Sequence, residues 1–208
     1  MARRALILLP HAAKVPDEHD FDIVICADSG VQVAHSAGMN VDLLIGDLDS
    51  ISEEDLEKVK RDEVEIKRHP TDKDMTDGEL ALKAACEMGF DDILIMGGRK
   101  GRMDHVISSL LMSLFMGKGR RIEVRMDNDR FIPLMKGDNI QLGTRYGTVS
   151  IIPICPVNRV STSGLKWELE DDEIPLGSTR GIHNEIKKLP FSVECSEGAV
   201  LLFLSMDG

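Results

Sequence analysis

Over its first 126 residues the chain alternates short apolar runs with stretches of helical period, the pattern of a mostly parallel sheet covered by helices. The runs are Ala5 to Leu9, Asp22 to Ala27, Asp42 to Ile45, Val64 to Lys67, Ile93 to Met96 and Ile122 to Met126. Between them, Val31 to Ala37, Glu53 to Lys60, Asp77 to Met88 and Met103 to Phe115 read as helices. The third helix carries the clearest start and stop signals, a T-x-x-E capping box at Thr76 and Glu79 and a glycine at Gly89. It puts Asp77 in the first turn, where free N–H groups favour a carboxylate.

Beyond Asp127 helical periodicity gives way to short β-like runs separated by Gly, Pro and Asn-rich turns. Ile132 to Met135, Asn139 to Leu142, Thr148 to Ile154, Leu165 to Leu169, Ser192 to Glu194 and Ala199 to Leu204 read as strands, with Lys136 to Asn139 as a hairpin turn. The expected fold is therefore α/β: a Rossmann-like domain over residues 1–126, then a small antiparallel β-sandwich domain over 127–208.

A net charge of −11 argues against a nucleic-acid partner, because a polyphosphate chain would be repelled at long range. No stretch approaches the roughly 18 apolar residues of a membrane span, and the apolar run at the N-terminus is too short for a signal-peptide core. Cys26, Cys86, Cys155 and Cys195 form no C-x-x-C pair, mostly lie in apolar runs, and read as free thiols of a reducing cytoplasm.

The polar residues that follow the strands carry the chemistry. Asp28-Ser29-Gly30 follows the second run and Gly46-Asp47-Leu48-Asp49-Ser50 the third. Asp72 to Asp77 lies beyond the fourth, and Gly97-Gly98-Arg99-Lys100-Gly101-Arg102 follows the fifth. In an open parallel sheet these carboxyl ends share the ligand-binding edge. Asp47 and Asp49, two residues apart, would face one way in an extended segment, and a hard cation such as magnesium would relieve their repulsion. Asp77, with Asp74 as a further candidate, would complete the shell. Taken alone, the two acids could be turn formers, with Asp49 or Ser50 capping the helix near Ser52. No Walker lysine pattern occurs, so the Gly97 to Arg102 segment is not a P-loop. Its three cations and the helix start behind it suit a triphosphate nonetheless.

In these residues the sequence resembles the thiamine pyrophosphokinase family, which transfers the diphosphate of ATP to the hydroxyl of thiamine and releases AMP. Ala27-Asp28-Ser29-Gly30 is similar to the family's A-D-G-G, and Asp42 with Gly46 to Ser50 fits P-D-x-x-x-G-D-x-D-S. Lys73 to Asp77 fits K-D-x-T-D, and Gly98 to His105 resembles G-x-x-G-R-x-D-H. The likeness continues through Thr162 to Trp167 and Gly177 to Glu185. It implies an α/β domain followed by a β-sandwich, in a homodimer whose active sites lie between subunits. It also implies magnesium on Asp47, Asp49 and Asp77, with Asp104 as a further catalytic acid. Asp28, Ser29, Thr76, Arg99, Lys100, Gly101, Arg102 and His105 would address ATP. Trp167, Ser178, His183 and Asn184 would address thiamine, the aromatic face of Trp167 suiting a cationic thiazolium.

The sequence departs from the family pattern at Ser29, Ser109 and His183. Those departures leave a related acceptor, such as a pterin alcohol, open. A metal-dependent nucleotide hydrolase and a non-catalytic nucleotide sensor are the remaining alternatives.

Overall fold

Every apolar run of the first part forms a strand. The computed structural model describes residues 3–70, 74–98, 103–116 and 119–206, and the chain divides into two units, Met1–Asp127 and Asn128–Gly208. The first unit contains β1 (Arg4–Leu8), β2 (Ile23–Ala27), α1 (Gly30–Ser36), β3 (Leu43–Gly46), α2 (Glu53–Arg61) and β4 (Glu65–Arg68). It continues through α3 (Asp77–Glu87), β5 (Asp92–Gly97), α4 (Met103–Met116) and β6 (Arg121–Met126). Strand order is β4-β3-β2-β1-β5-β6, with every pairing parallel. The chain winds from β1 toward β4 and resumes at β5 on the other side of β1. The winding therefore reverses between β1 and β5, the point at which open α/β sheets bind ligands.

The central strands β1, β2, β3 and β5 are buried almost throughout, as strands covered on both faces must be. Leu6, Leu8, Cys26, Leu44, Leu94 and Met96 pack with Val31, Ala34 and Val59 in one core cluster. Edge strand β4 is guarded by charge, Lys67 and Glu65 pairing at 3.5 Å. Helix α3 starts at Thr76, whose side chain accepts the N–H of Glu79 at 3.2 Å. Helix α2 starts at Ser52, which accepts the N–H of Asp55 at 3.1 Å. The cap of α2 is thus Ser52, and neither Asp49 nor Ser50 serves as one.

The second unit comprises β7 (Asp129–Met135), β8 (Asn139–Leu142), β9 (Thr148–Pro153), β10 (Arg159–Ser163), β11 (Asp172–Glu173), β12 (Phe191–Glu197) and β13 (Ala199–Ser205). Its strands pair antiparallel in the orders β7-β13-β9 and β11-β10-β12-β8. Both groups feed one core that includes Leu134, Val149, Ile151, Val160, Phe191, Val193, Val200 and Leu202, which is sandwich packing.

Three expectations change here. The segment 165–169 is not a strand: Gly164 takes a φ of 79°, its N–H donates to Glu168 Oε1 at 2.8 Å, and only Leu165 makes a bridge, with Ile186. Strand β10 escapes the hydrophobic pattern because its inward residues are Val160 and Thr162. The turn at 136–139 exists, with Asp138 Oδ2 accepting the N–H of Met135 at 2.7 Å. It joins two sheets, however, and is not the turn of a hairpin.

Candidate active site

The carboxyl ends of the first unit's strands surround a cavity of about 500 Å³. Leu9, Pro10 and His11 enter it after β1, Asp28 and Ser29 after β2, and Asp47 and Ser50 after β3. Thr76, Asp77 and Gly78 come from the start of α3, Gly97 and Gly98 from the end of β5, and His105, Val106, Ser108 and Ser109 from α4. The acids thus share one edge with Gly97 and Gly98, as parallel pairing dictates.

The acidic centre is a turn, whereas an extended pair was expected. Leu48 is buried with a φ of 69°, and the N–H of Asp49 donates to Asp47 Oδ1 at 3.1 Å. That turn still brings the two carboxylates together, and the third member of the cluster is Asp28. Oxygens of Asp28, Asp47 and Asp49 lie within 4.8 Å of one another. Gly46 makes this approach possible: a β-carbon there would stand 3.2 Å from the Asp28 side chain and 3.3 Å from Asp77 Oδ1. Asp77 thus stands beside the cluster, and its charge is felt at Asp49.

The electrostatics favour a cation. The Asp49 carboxyl is held above the usual carboxylate range by its hydrogen bond to Asp47 and by that neighbour's charge, with smaller contributions from desolvation, Asp28 and Asp77. Asp28 sits at a φ of 46°, its Oδ2 accepting the Ser50 hydroxyl. Among the described residues its buried Oδ1 has no hydrogen-bond partner. A buried oxygen left unpaired beside two further carboxylates is a vacant acceptor of the kind a hard divalent cation fills. The donor set, all carboxylate oxygen, fits magnesium.

The segment expected to meet phosphate is only partly described, because Arg99, Lys100, Gly101 and Arg102 lie outside the described residues. His105 lines the cavity from the first turn of α4. Asp104 is exposed, is not part of the cavity wall, and accepts the N–H of His105 at 3.0 Å. The Ser109 hydroxyl donates back to the His105 carbonyl at 2.8 Å.

Pro10 and His11 line the cavity although their sequence gave no signal beyond closing a strand. His11 adopts a φ of 63°, and a β-carbon at Gly98 would fall on its carbonyl oxygen. Only glycine lets the β1 and β5 loops meet so closely. The same β1–β2 connection is pinned to β6 by Glu18 and Arg125, 2.7 Å apart, which holds the Glu18 carboxyl down at about 2.

In the second unit Trp167 is 54% exposed on a fixed backbone. Asn184 Oδ1 accepts the Trp167 N–H at 3.1 Å, and its Nδ2 donates to the Trp167 carbonyl at 2.7 Å. The buried Asn184 carboxamide is therefore engaged in holding Trp167. His183, at a φ of 60°, is exposed, and its N–H donates to Ser150 Oγ at 2.9 Å. Ser178 Oγ accepts the N–H of Arg180 at 3.3 Å.

These features define a protein with a doubly wound α/β unit, a carboxylate cluster at its switch-point edge, and a β-sandwich presenting an exposed tryptophan. The family model described as thiamin pyrophosphokinase, catalytic domain, matches residues 18–126, and that described as thiamin pyrophosphokinase, vitamin B1 binding domain, matches residues 138–200. The chain belongs to the thiamin pyrophosphokinase family. It is 28% identical over 206 residues to a thiamine pyrophosphokinase of Bacillus subtilis, covering 96% of this chain and 94% of that one. A crystal structure of the Geobacillus thermodenitrificans thiamin pyrophosphokinase superposes with a TM-score of 0.86 at 25% identity, covering 99% of this chain and 98% of that one. The Candida albicans thiamin pyrophosphokinase gives 0.82 at 18% identity, covering 99% and 90%.

Proposed function

We infer that the chain is a thiamine pyrophosphokinase, transferring the diphosphate of ATP to the hydroxyl of thiamine to give thiamine diphosphate and AMP. Within the family, the observation that carries the reading is the meeting of Asp28, Asp47 and Asp49 around an unpaired buried oxygen at the switch-point edge. Asp28, Asp47 and Asp49 hold the magnesium ion, and Asp77 flanks them. When bound, the ion supplies positive charge to the phosphate oxygens. The start of α4 with His105, and Arg99, Lys100 and Arg102 in the preceding segment, offset the remaining charge.

The acceptor hydroxyl oxygen bonds to the β-phosphorus as the bond to the α-phosphate oxygen breaks, and the electron pair leaves on AMP. Its proton passes to a carboxylate of the cavity wall. Asp77 is the candidate base, because it stands outside the cation cluster and lines the cavity, whereas the exposed Asp104, also outside the cluster, does not line it. Trp167 supports the acceptor ring, Asn184 fixes Trp167, and Ser178 and His183 are further residues that would address the acceptor.

We propose further that two copies associate and that the enzyme works in the cytoplasm. Met103, Ile107, Leu111 and Phe115, at i, i+4 spacing, form an exposed apolar stripe on α4 that a second copy would cover. The four cysteines are free, as a reducing compartment requires. Light scattering checks the dimer.

Magnesium, ATP and thiamine incubated with the protein should yield AMP and thiamine diphosphate by chromatography. Asp47→Asn and Asp77→Asn should abolish both products without changing the far-UV circular dichroism. AMP release that ignores thiamine would refute the assignment, and retained turnover in both variants would refute the site.

A further inference from the structure

The aromatic face that the acceptor would use already carries a cation belonging to the chain. Lys166 Nζ lies 4.6 Å from the centre of the Trp167 ring. The same ammonium is 2.9 Å from Glu185 Oε1. Its position follows from a braced backbone, because the Lys166 N–H donates to the Glu185 carbonyl at 2.9 Å and Asn184 clamps the next residue on both its N–H and its carbonyl. Glu185 therefore fixes the charged end of the side chain and the Asn184 clamp fixes its root. Both charged groups are about half exposed, so neither is buried by this arrangement, and nothing in the core requires it.

We propose that Lys166 is a resident competitor for the cationic ring of the acceptor, occupying the indole face until the ligand displaces it. This rests on the reading that the acceptor stacks on Trp167. A thiazolium ring and an ammonium seek the same negative face of the indole, and the flat ring adds stacking area that a lysine head lacks. Displaced, the ammonium remains tethered at Glu185, close enough to reclaim the face. Its return weakens the hold on any bound thiazolium, including that of the product, so the device raises the acceptor's dissociation constant and hastens release.

Trp167 is the single tryptophan of the chain, so fluorescence excited at the red edge of the spectrum, where tyrosine does not absorb, reports this ring alone. Thiamine would be titrated into the full chain, with magnesium and a non-hydrolysable ATP analogue present, for the native protein, Lys166→Met and Lys166→Arg. Methionine keeps much of the apolar stem and removes the charge. An exposed cation–π contact corresponds to about two- to fivefold in an equilibrium constant. The methionine variant should therefore bind thiamine about two- to fivefold more tightly. Arginine, which stacks on indole at least as well, should bind it no more tightly than the native protein.

Quenching by thiamine with an unchanged or weaker Kd in the methionine variant would leave Trp167 as the platform and overturn the competitor role. Equal tightening by methionine and arginine would overturn it too. Absence of any thiamine effect on native Trp167 emission would overturn the platform itself and the proposal with it.

Discussion

Asp28→Asn should stabilise the metal-free protein while removing its response to magnesium. Asparagine keeps the shape, tolerates the left-handed backbone at a φ of 46°, and keeps an oxygen to accept the Ser50 hydroxyl. What it removes is a negative charge within 4.8 Å of the Asp47 and Asp49 carboxylates. At that separation two unit charges repel by about 1 kcal/mol in a water-like medium and by about 3.5 kcal/mol at an effective dielectric of 20. Taking the lower figure for Asp28 and Asp47, the variant gains about 1 kcal/mol, or about 2–4 °C in Tm for a chain of this length. Asp49 adds to the gain with the same sign. The amide also gives the buried Oδ1 position a donor that can face its acidic neighbours. In the native protein magnesium at ten times its Kd adds about 1.4 kcal/mol, and the variant should lose most of that. Thermal unfolding followed by circular dichroism, with EDTA or with magnesium, reads both effects. A variant that melts lower in EDTA, or that gains as much from magnesium as the native chain, would refute the assignment of Asp28 to the cation.

Two further outcomes follow from the packing. Asn158 is fully buried: its Oδ1 accepts the N–H groups of Cys155 and Ala199, both at 3.1 Å, and its Nδ2 donates to the carbonyls of Cys155 and Ile174 at 2.6 and 2.9 Å. Asn158→Ala removes the side-chain partner of four main-chain groups, two in buried and two in part-buried hydrogen bonds, and should cost about 3–5 kcal/mol in urea unfolding followed at Trp167; a loss below about 1 kcal/mol would contradict this. Glu18 titrates near 2 when folded against 4.5 for the free side chain. A depressed value means that the stabilisation is present above about pH 4.5 and is lost as pH falls toward 2. The side chain is 31% exposed, so solvent screening brings the contribution to about 1–2 kcal/mol. Arg125→Met should flatten the acid limb of the stability profile over that window, and an unchanged limb would refute the pairing.

The α/β frame was legible because it rests on period and punctuation, which are local. The apolar runs, the capping box at Thr76 and the glycine at Gly89 each specify an element without help from distant residues, and the structure follows them to within a residue or two. The second unit was less legible where side chains outside the element decide its shape. Residues 165–169 have a strand-like composition, yet the Asn184 carboxamide and the Glu168 carboxylate bend them into the corner that exposes Trp167. Strand β10, Arg-Val-Ser-Thr-Ser, is too polar to be seen, because one of its two inward positions is a threonine whose hydroxyl accepts the N–H of Leu169 at 2.9 Å.

The site shows the same division. That Asp28, Asp47, Asp49 and Asp77 would gather at one edge followed from strand order, since a parallel sheet delivers all its carboxyl ends there. Which three would meet did not, because it depends on backbone angles that sequence does not display. The left-handed turn at Leu48, with its side chain buried as an anchor, folds Asp49 back over Asp47. The left-handed Asp28 leaves one of its oxygens unpaired within reach of theirs. Gly46 completes the arrangement by leaving empty the space that a β-carbon would occupy between Asp28 and Asp77. Gly46 is thus a spacer, and Gly46→Ala should disturb cation binding before it disturbs the sheet, because its contacts are with the acids.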